Sequence, residues 1–270
     1  MRVVQRCLWP FALFAACSQV CLALAATPVP VPEGVTISFS IPDSVVSLHE
    51  PVYLQLSVRN ELSESVHFDL GPQGKQTFEF AVIAPNGSVV RTAPPELGAY
   101  VMGRPDDRPT LAPGDTFAKT MVLNEWYPFP APGSYVVRAK LTAPVLTESG
   151  ATLELPPPQE IPLQVKPRDP ERLRVVCEEL SKKVLGGHAE EAKNAAFALS
   201  YVDDPIAVPY LGRVLKHGFF GLDHAIAGLV RIGTSEAVQA LTSSLDTQNE
   251  ELKLLIQNAL SEIRAKHPEG

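Results

Sequence analysis

Cysteine is nearly absent from the part of this chain that can fold. Of the four, Cys7, Cys17 and Cys21 lie in an apolar leader, so only Cys177 remains downstream and no internal disulfide can staple the product. Stability has to come from burial. The chain also lacks H-E-x-x-H, cysteines paired at metal-ligand spacing, a Gly-rich phosphate loop and G-x-S-x-G. Its histidines are scattered: His49, His67, His188, His217, His224 and His267. The nearest pair, His217 and His224, straddles Gly218-Phe219-Phe220-Gly221 and would need a third ligand such as Asp223 to hold a metal. No basic stripe is present, and the net charge is -7, which becomes -9 once Arg2 and Arg6 leave with the leader. A polyanion such as nucleic acid is therefore not an expected partner.

That leader has two arginines, an apolar run from Cys7 to Leu24 and Ala23-Leu24-Ala25 ahead of Ala26. It reads as a secretory signal peptide over 1–25, with a periplasmic or extracellular product. An uncleaved anchor competes with that reading, but Pro10, Ser18 and Gln19 interrupt the run. A lipoprotein competes as well: Leu13-Phe14-Ala15-Ala16-Cys17 is a degenerate lipobox, with Cys17 as the lipid-bearing residue.

Most of the 26 prolines precede residue 171, which favours strands and turns there and helices afterwards. Short alternating segments at 35–41, 52–58, 65–70, 77–83, 88–92, 117–123, 135–142 and 161–165 predict about eight strands. Turn signals separate them: Pro85-Asn86-Gly87, whose Asn-Gly pair tolerates positive φ, then Pro113-Gly114 and Pro132-Gly133. The expectation over 33–166 is an immunoglobulin-like β-sandwich. The stretches "LHEPVYLQLSVRNELSESVHFDLG", "LAPGDTFAKTMVL" and "APGSYVVRAKL" resemble the immunoglobulin-like modules of bacterial secreted proteins. They are also similar to the domain of the BsuPI type of proteinase inhibitor. The likeness covers about 130 residues and implies the fold more than inhibition, since its motifs are those of strands and turns.

Beyond Lys166-Pro167-Arg168-Asp169-Pro170 the pattern changes. Asp169 is placed to cap a helix that Pro170 begins, and Asp204 before Pro205 and Thr234 before Ser235 are placed to cap equivalent later helices. Ala195, Ala198, Leu199 and Val202 recur 30 residues on as Ala225, Gly228, Leu229 and Ile232, and 31 further on as Ile256, Ala259, Leu260 and Ile263. The partner helices repeat too: Val184-Leu185, Val214-Leu215 and Ser244-Leu245. Three two-helix units are predicted, at about 170–202, 203–233 and 234–266, within a domain spanning 169–267. The small column Ala198, Gly228 and Ala259 permits close helix approach. "EEAKNAAFALSYVDDPIAVPYLGRVL" and "AIAGLVRIGTSEAVQALTSSL" resemble HEAT repeats of the short type also found in phycobilin lyases. The resemblance implies a short α-solenoid, hence a multidomain β + α chain. Three units are close to the minimum for such a stack, so its end is expected to be covered by the β-rich part or by a partner.

The candidate partner-contact residues are aromatic. Trp126, Tyr127 and Phe129 lie just before the Pro132-Gly133 turn, where they either form an exposed hot spot or plug the open end of the core. Phe219 and Phe220 sit in a loop between helices and are expected to pack beneath the next hairpin or against the β-rich part, with a partner contact as the alternative. The irregular stretch 98–110 is a further loop with room for function. Cys177 reads as a buried small hydrophobe and the Glu pairs 178–179 and 190–191 as solvated helix faces. With no catalytic set, cofactor or metal expected, the function expected is a non-catalytic protein- or peptide-binding scaffold of the bacterial cell envelope. A BsuPI-like peptidase inhibitor and an enzyme with an unrecognised site are the alternatives.

Overall fold

A computed structural model of the chain describes residues 34–71, 77–92, 108–246 and 249–266. The leader with Cys17, His267 and all of the 98–110 stretch before residue 108 lie outside them. A β-rich N-terminal part is followed by a helical C-terminal part.

Among the described residues twelve strands form in chain order: β1 (Val35–Ser40), β2 (Val45–Ser47), β3 (Tyr53–Asn60), β4 (Val66–Phe68), β5 (Phe78–Ile83), β6 (Val89–Thr92), β7 (Thr110–Leu111), β8 (Thr116–Val122), β9 (Gly133–Leu141), β10 (Val145–Thr147), β11 (Thr152–Leu153) and β12 (Gln159–Lys166). The expected eight are among them. The four that the alternation did not signal, β2, β7, β10 and β11, are two or three residues long, too short to display a period of two. Hydrogen bonds link the strands into three sheets, ordered β1-β3-β8, β11-β10-β4-β7 and β2-β12-β9-β5-β6. Every pairing is antiparallel except β2 with β12. In β3 the alternate residues Leu54, Leu56 and Val58 are fully buried and belong to the same core as Phe80, Val137 and Leu163. The Gln159 side chain bridges to β1, accepting from Phe39 N at 2.8 Å and donating to Ile37 O at 2.8 Å, so the two faces are also joined through polar atoms.

The turns refine what was expected of them. In the β5–β6 hairpin only Gly87 has a positive φ, 80°, while Asn86 does not. Gly87 N donates to Ala84 O and Ala84 N to Ser88 O, which makes a three-residue loop with glycine in the left-handed position, not the two-residue mirror-image turn that an Asn-Gly pair suggests. Gly133 sits against the tip of the same hairpin: a Cβ there would lie 2.3 Å from Pro85 Cγ.

Six α-helices follow among the described residues: α1 (Pro170–Gly186), α2 (Ala189–Ser200), α3 (Val208–His217), α4 (Leu222–Ile232), α5 (Ser235–Thr242) and α6 (Glu250–Lys266). The caps fall where the sequence put them. Asp169 accepts from Glu171 N and Arg172 N; Asp204 accepts from Ile206 N and Thr234 from Ala237 N. Helices pair as α1/α2, α3/α4 and α5/α6. In addition α1, α3 and α5 are neighbours in turn, as are α2, α4 and α6. The recurring apolar positions lie in one core, with Leu199, Leu229 and Ile256 fully buried. Gly228 explains its own residue type, because a Cβ on it would come within 2.9 Å of Ser200 Cα. No helix among the described residues is long and apolar enough to cross a membrane.

Candidate functional site

The aromatic residues singled out from the sequence go to different places. Phe129 is only 3% exposed and sits edge-on to Tyr127 and Tyr135, with ring centroids 5.1 and 5.4 Å away. Its φ of 48° is a left-handed conformation that non-glycine residues avoid, and packing holds it there. Trp126 and Tyr127 are half-buried against the same core, Trp126 edge-on to Phe80 at 5.1 Å. These rings plug one end of the β-rich core instead of projecting from it. Phe219 departs from expectation the other way, while Phe220 is half-buried. Phe219 is 84% exposed, its ring leaning only on Phe220 at 5.0 Å. The flanking Gly221 takes a φ of 72° and packs where a Cβ would meet Ala196 Cβ, so the loop backbone lies on α2 while the Phe219 ring points away.

Cys177 is buried, and that burial, reinforced by the charge of Asp204, pushes its thiol up to about 12. No group of three His, Cys, Asp or Glu able to hold a metal occurs among the described residues. His224 lies against the Phe197 ring at 5.2 Å and 3.8 Å from Asp223.

The junction between the β-rich and helical parts carries the densest polar chemistry. Lys166 ends β12 and Pro170 begins α1. Within that short passage Asp169 N donates to Ser47 Oγ at 2.8 Å and Leu48 N to Lys166 O at 3.0 Å. One turn into α1, Arg172 reaches back to the β-rich part. Its Nε donates to Glu50 Oε2 at 2.6 Å and its Nη2 to Glu50 Oε1, Asp43 Oδ2 and Val45 O at 3.0, 2.7 and 3.0 Å. Glu50 is buried, and its Oε2 also accepts from Ser47 N. His49, at a φ of 72°, makes the tight turn that brings Glu50 under α1. These contacts occupy the outward-facing backbone groups of β2 and leave no template for another strand there. Arg168 makes a second forked contact, Nε to Asp204 Oδ2 at 2.5 Å and Nη2 to Oδ1 at 3.0 Å. Burial works against the Asp204 charge, but the Arg168 guanidinium and the Ile206 N–H outweigh it and hold the carboxyl below its ordinary value.

Beside this junction opens a cleft of about 810 Å³. Val46, Pro51 and Tyr53 form its β wall. A single stripe of α1 forms the facing wall: Arg172, Val175, Val176, Glu179, Leu180 and Lys183, at spacings of three and four. Glu191, Asn194 and Ala195 of α2 close it. Val175 is 56% exposed at its mouth. Burial and the nearby Glu50 carboxylate push the Tyr53 phenol up to about 12, so it presents a neutral hydroxyl. Sequence reading missed this site. Its available signal was that α1 carries more apolar residues than its core face needs: Leu173, Cys177 and Val184 are buried in the helical core while Val175 stays exposed.

No family model matches the chain, and no curated protein matches it. Among solved structures, a structural-genomics target aligns over 48% of this chain and 84% of its own length, at 12% identity and a TM-score of 0.29. The sporulation control protein Spo0M from Bacillus subtilis aligns over 54% and 55%, at 12% and 0.28. A β-glucosidase from Listeria innocua in complex with glucose aligns over 50% of this chain but 16% of its own, at 12% and 0.29. Likenesses at this level carry no argument about fold or activity.

Proposed function

We propose that this chain is an exported, non-catalytic protein-binding or scaffold protein of the bacterial envelope, built from an immunoglobulin-like sandwich and a short HEAT-like solenoid. Two observations favour the sandwich. The order β1-β3-β8 opposite β12-β9-β5 sends the chain from one sheet to the other between β3 and β5 and between β8 and β9, as a Greek key does. Tyr135, early in β9, donates its hydroxyl to Ala131 O at 2.7 Å, four residues upstream, in the manner of a tyrosine corner. The two runs of neighbouring helices, α1-α3-α5 and α2-α4-α6, favour the solenoid.

The observation that carries the functional reading is the cleft at the junction: concave, with apolar residues on both walls and charged residues at its rim. A surface of that kind binds, and orienting it by two forked Arg–carboxylate contacts preorganises it for binding. The test is affinity capture from envelope extract with the purified protein as bait, beside a Val175→Glu bait. Recovery of the same envelope protein by the first and its loss from the second supports the reading. Capture of no specific protein by either half of the chain ends it.

A further inference from the structure

The cleft has a position in the repeat that identifies its occupant. Residues 30 apart are equivalent, so the α1 stripe Val176, Leu180 and Lys183 corresponds to Ile206, Tyr210 and Arg213 in the second unit. In that unit the stripe faces the preceding helix: Arg213 Nη1 donates to Glu178 Oε2 of α1 at 3.1 Å. One unit further, Ala240 occupies the place of Tyr210 and packs against α3, where a Cβ on Gly212 would be 3.5 Å from it. The α2 wall obeys the same rule. Glu191, Asn194 and Ala195 correspond to Gly221, His224 and Ala225, and in α4 those positions meet α2 through Ala196 and Phe197. The walls of the cleft are therefore the surfaces on which a preceding repeat would stack, and no repeat of this chain precedes α1 among the described residues.

The other end of the stack is finished differently. The surfaces that α2 and α3 offer forward, Ala196, Ser200 and Gly212, become Gln257, Ser261 and Thr242 in the last unit, all polar and exposed, although Leu254 on the same stripe of α6 is exposed too. A polar outer face is what terminates a repeat array in water. The first unit carries Val175, Val176 and Leu180 instead: Leu180 is buried and Val176 half-buried, with Tyr53 of β3 packed against the same core, while Val175 is left exposed beside the open cleft.

We infer that this face is a docking socket for one amphipathic helix of a partner protein, which sits in the place of the missing preceding helix. This rests on the binding reading above and adds the partner's chemistry. The β wall narrows the space: about 810 Å³ holds roughly two turns of a helix ~10 Å across, not a hairpin. The occupant presents small or aliphatic residues at spacings of three and four to Val175, Val176 and Leu180. It carries a carboxylate opposite Lys183, as Glu178 stands opposite Arg213, since the Lys183 ammonium makes no ion pair among the described residues. A cation on its other side meets Glu179 and Glu191.

The repeat itself supplies the probe, because α1 is the helix that fills the equivalent place before α3. A fluorescein-labelled synthetic peptide of residues 170–186, titrated with the purified protein, is expected to give a saturable rise in anisotropy. Val175→Glu weakens it about tenfold or more, because the exposed valine loses its apolar contact. Lys183→Glu weakens it too, and a peptide carrying Glu178→Lys restores binding to that variant alone. Both substitutions are at exposed positions, and unchanged far-ultraviolet circular dichroism and Tm verify the fold. Absence of saturable binding overturns the inference, as does binding indifferent to both substitutions. So does a concentration-dependent dimer that Val175→Glu dissolves, which would make the occupant a second copy. The two readings fail separately. Peptide binding without any envelope partner leaves the socket and removes the function; envelope capture unaffected by Val175→Glu does the reverse.

Discussion

Arg172 and Glu50 meet as two parallel hydrogen bonds, Nε to Oε2 at 2.6 Å and Nη2 to Oε1 at 3.0 Å, joining the first helix to the turn after β2. The glutamate is buried while the arginine is 38% exposed, so the contact is half in water and half out of it. Its worth lies mainly in what its loss would leave behind: a buried carboxylate with one backbone N–H as its remaining partner among these contacts.

Replacing Arg172 by alanine is thus expected to cost about 2 kcal/mol, below the ~3–5 typical of fully buried pairs because this arginine is part-exposed. Arg172→Lys recovers less than half of the loss, since an ammonium cannot fork. Urea unfolding followed by tryptophan fluorescence measures both, and a loss under about 0.5 kcal/mol for the alanine variant would contradict the role assigned to the contact.

Asp204 makes a prediction about acid. Its folded-state pKa lies below the ordinary 3.8, so it contributes stability above that value and the contribution is lost as pH falls through the folded pKa. Urea midpoints measured from pH 6 down to about pH 2 should fall more steeply for the natural protein than for Asp204→Asn. Parallel curves for the two proteins would count against the Arg168–Asp204 pair as a stabilising contact.

Cys177 should be chemically silent. A fully buried thiol pushed up to about 12 has almost no thiolate at pH 8, so iodoacetamide labelling read by peptide mass spectrometry is expected only as fast as the helical part opens. Labelling of Cys177 that keeps pace with an unfolded control would refute its placement.

Two glycines should respond in opposite directions to the same substitution. Gly212→Ala adds a methyl at ordinary contact, 3.5 Å from Ala240 Cβ, and gains up to about 1 kcal/mol of helix propensity. Gly228→Ala places the methyl 2.9 Å from the Ser200 backbone, and overpacking of ~1–3 kcal/mol exceeds the same gain. Thermal unfolding should raise Tm for the first variant and lower it for the second.

What could be read without coordinates depended on whether a feature has a local period. The long strands did, and so did the recurrence of Ala195, Ala225 and Ile256, whose positions share one core. Caps were legible because Asp169, Asp204 and Thr234 act within three residues of themselves. The pairing of β2 with β12 joins positions some 120 residues apart through three residues, and nothing local announces it. The same is true of Arg172 with Glu50, one of several arginines and glutamates that solvated faces would explain equally well. Phe219 was misjudged because hydrophobic residues are expected inside, a rule that holds in one direction only. The cleft escaped notice for a different reason: the stripe on α1 looks like ordinary core, and only the placement of β3 across from it leaves Val175 exposed beside an open space.

The position of β12 has a mechanical corollary. It is flanked by β2 on one side and β9 on the other, and the chain passes from its last residue into α1 within three residues. Tension applied to the helical part therefore arrives along the axis of an interior strand, and the ladders on both flanks bear it together in shear. An edge strand would peel away one hydrogen bond at a time. A tether entering here is suited to carrying load, and under a pulling force the helices should come apart before the sheet yields.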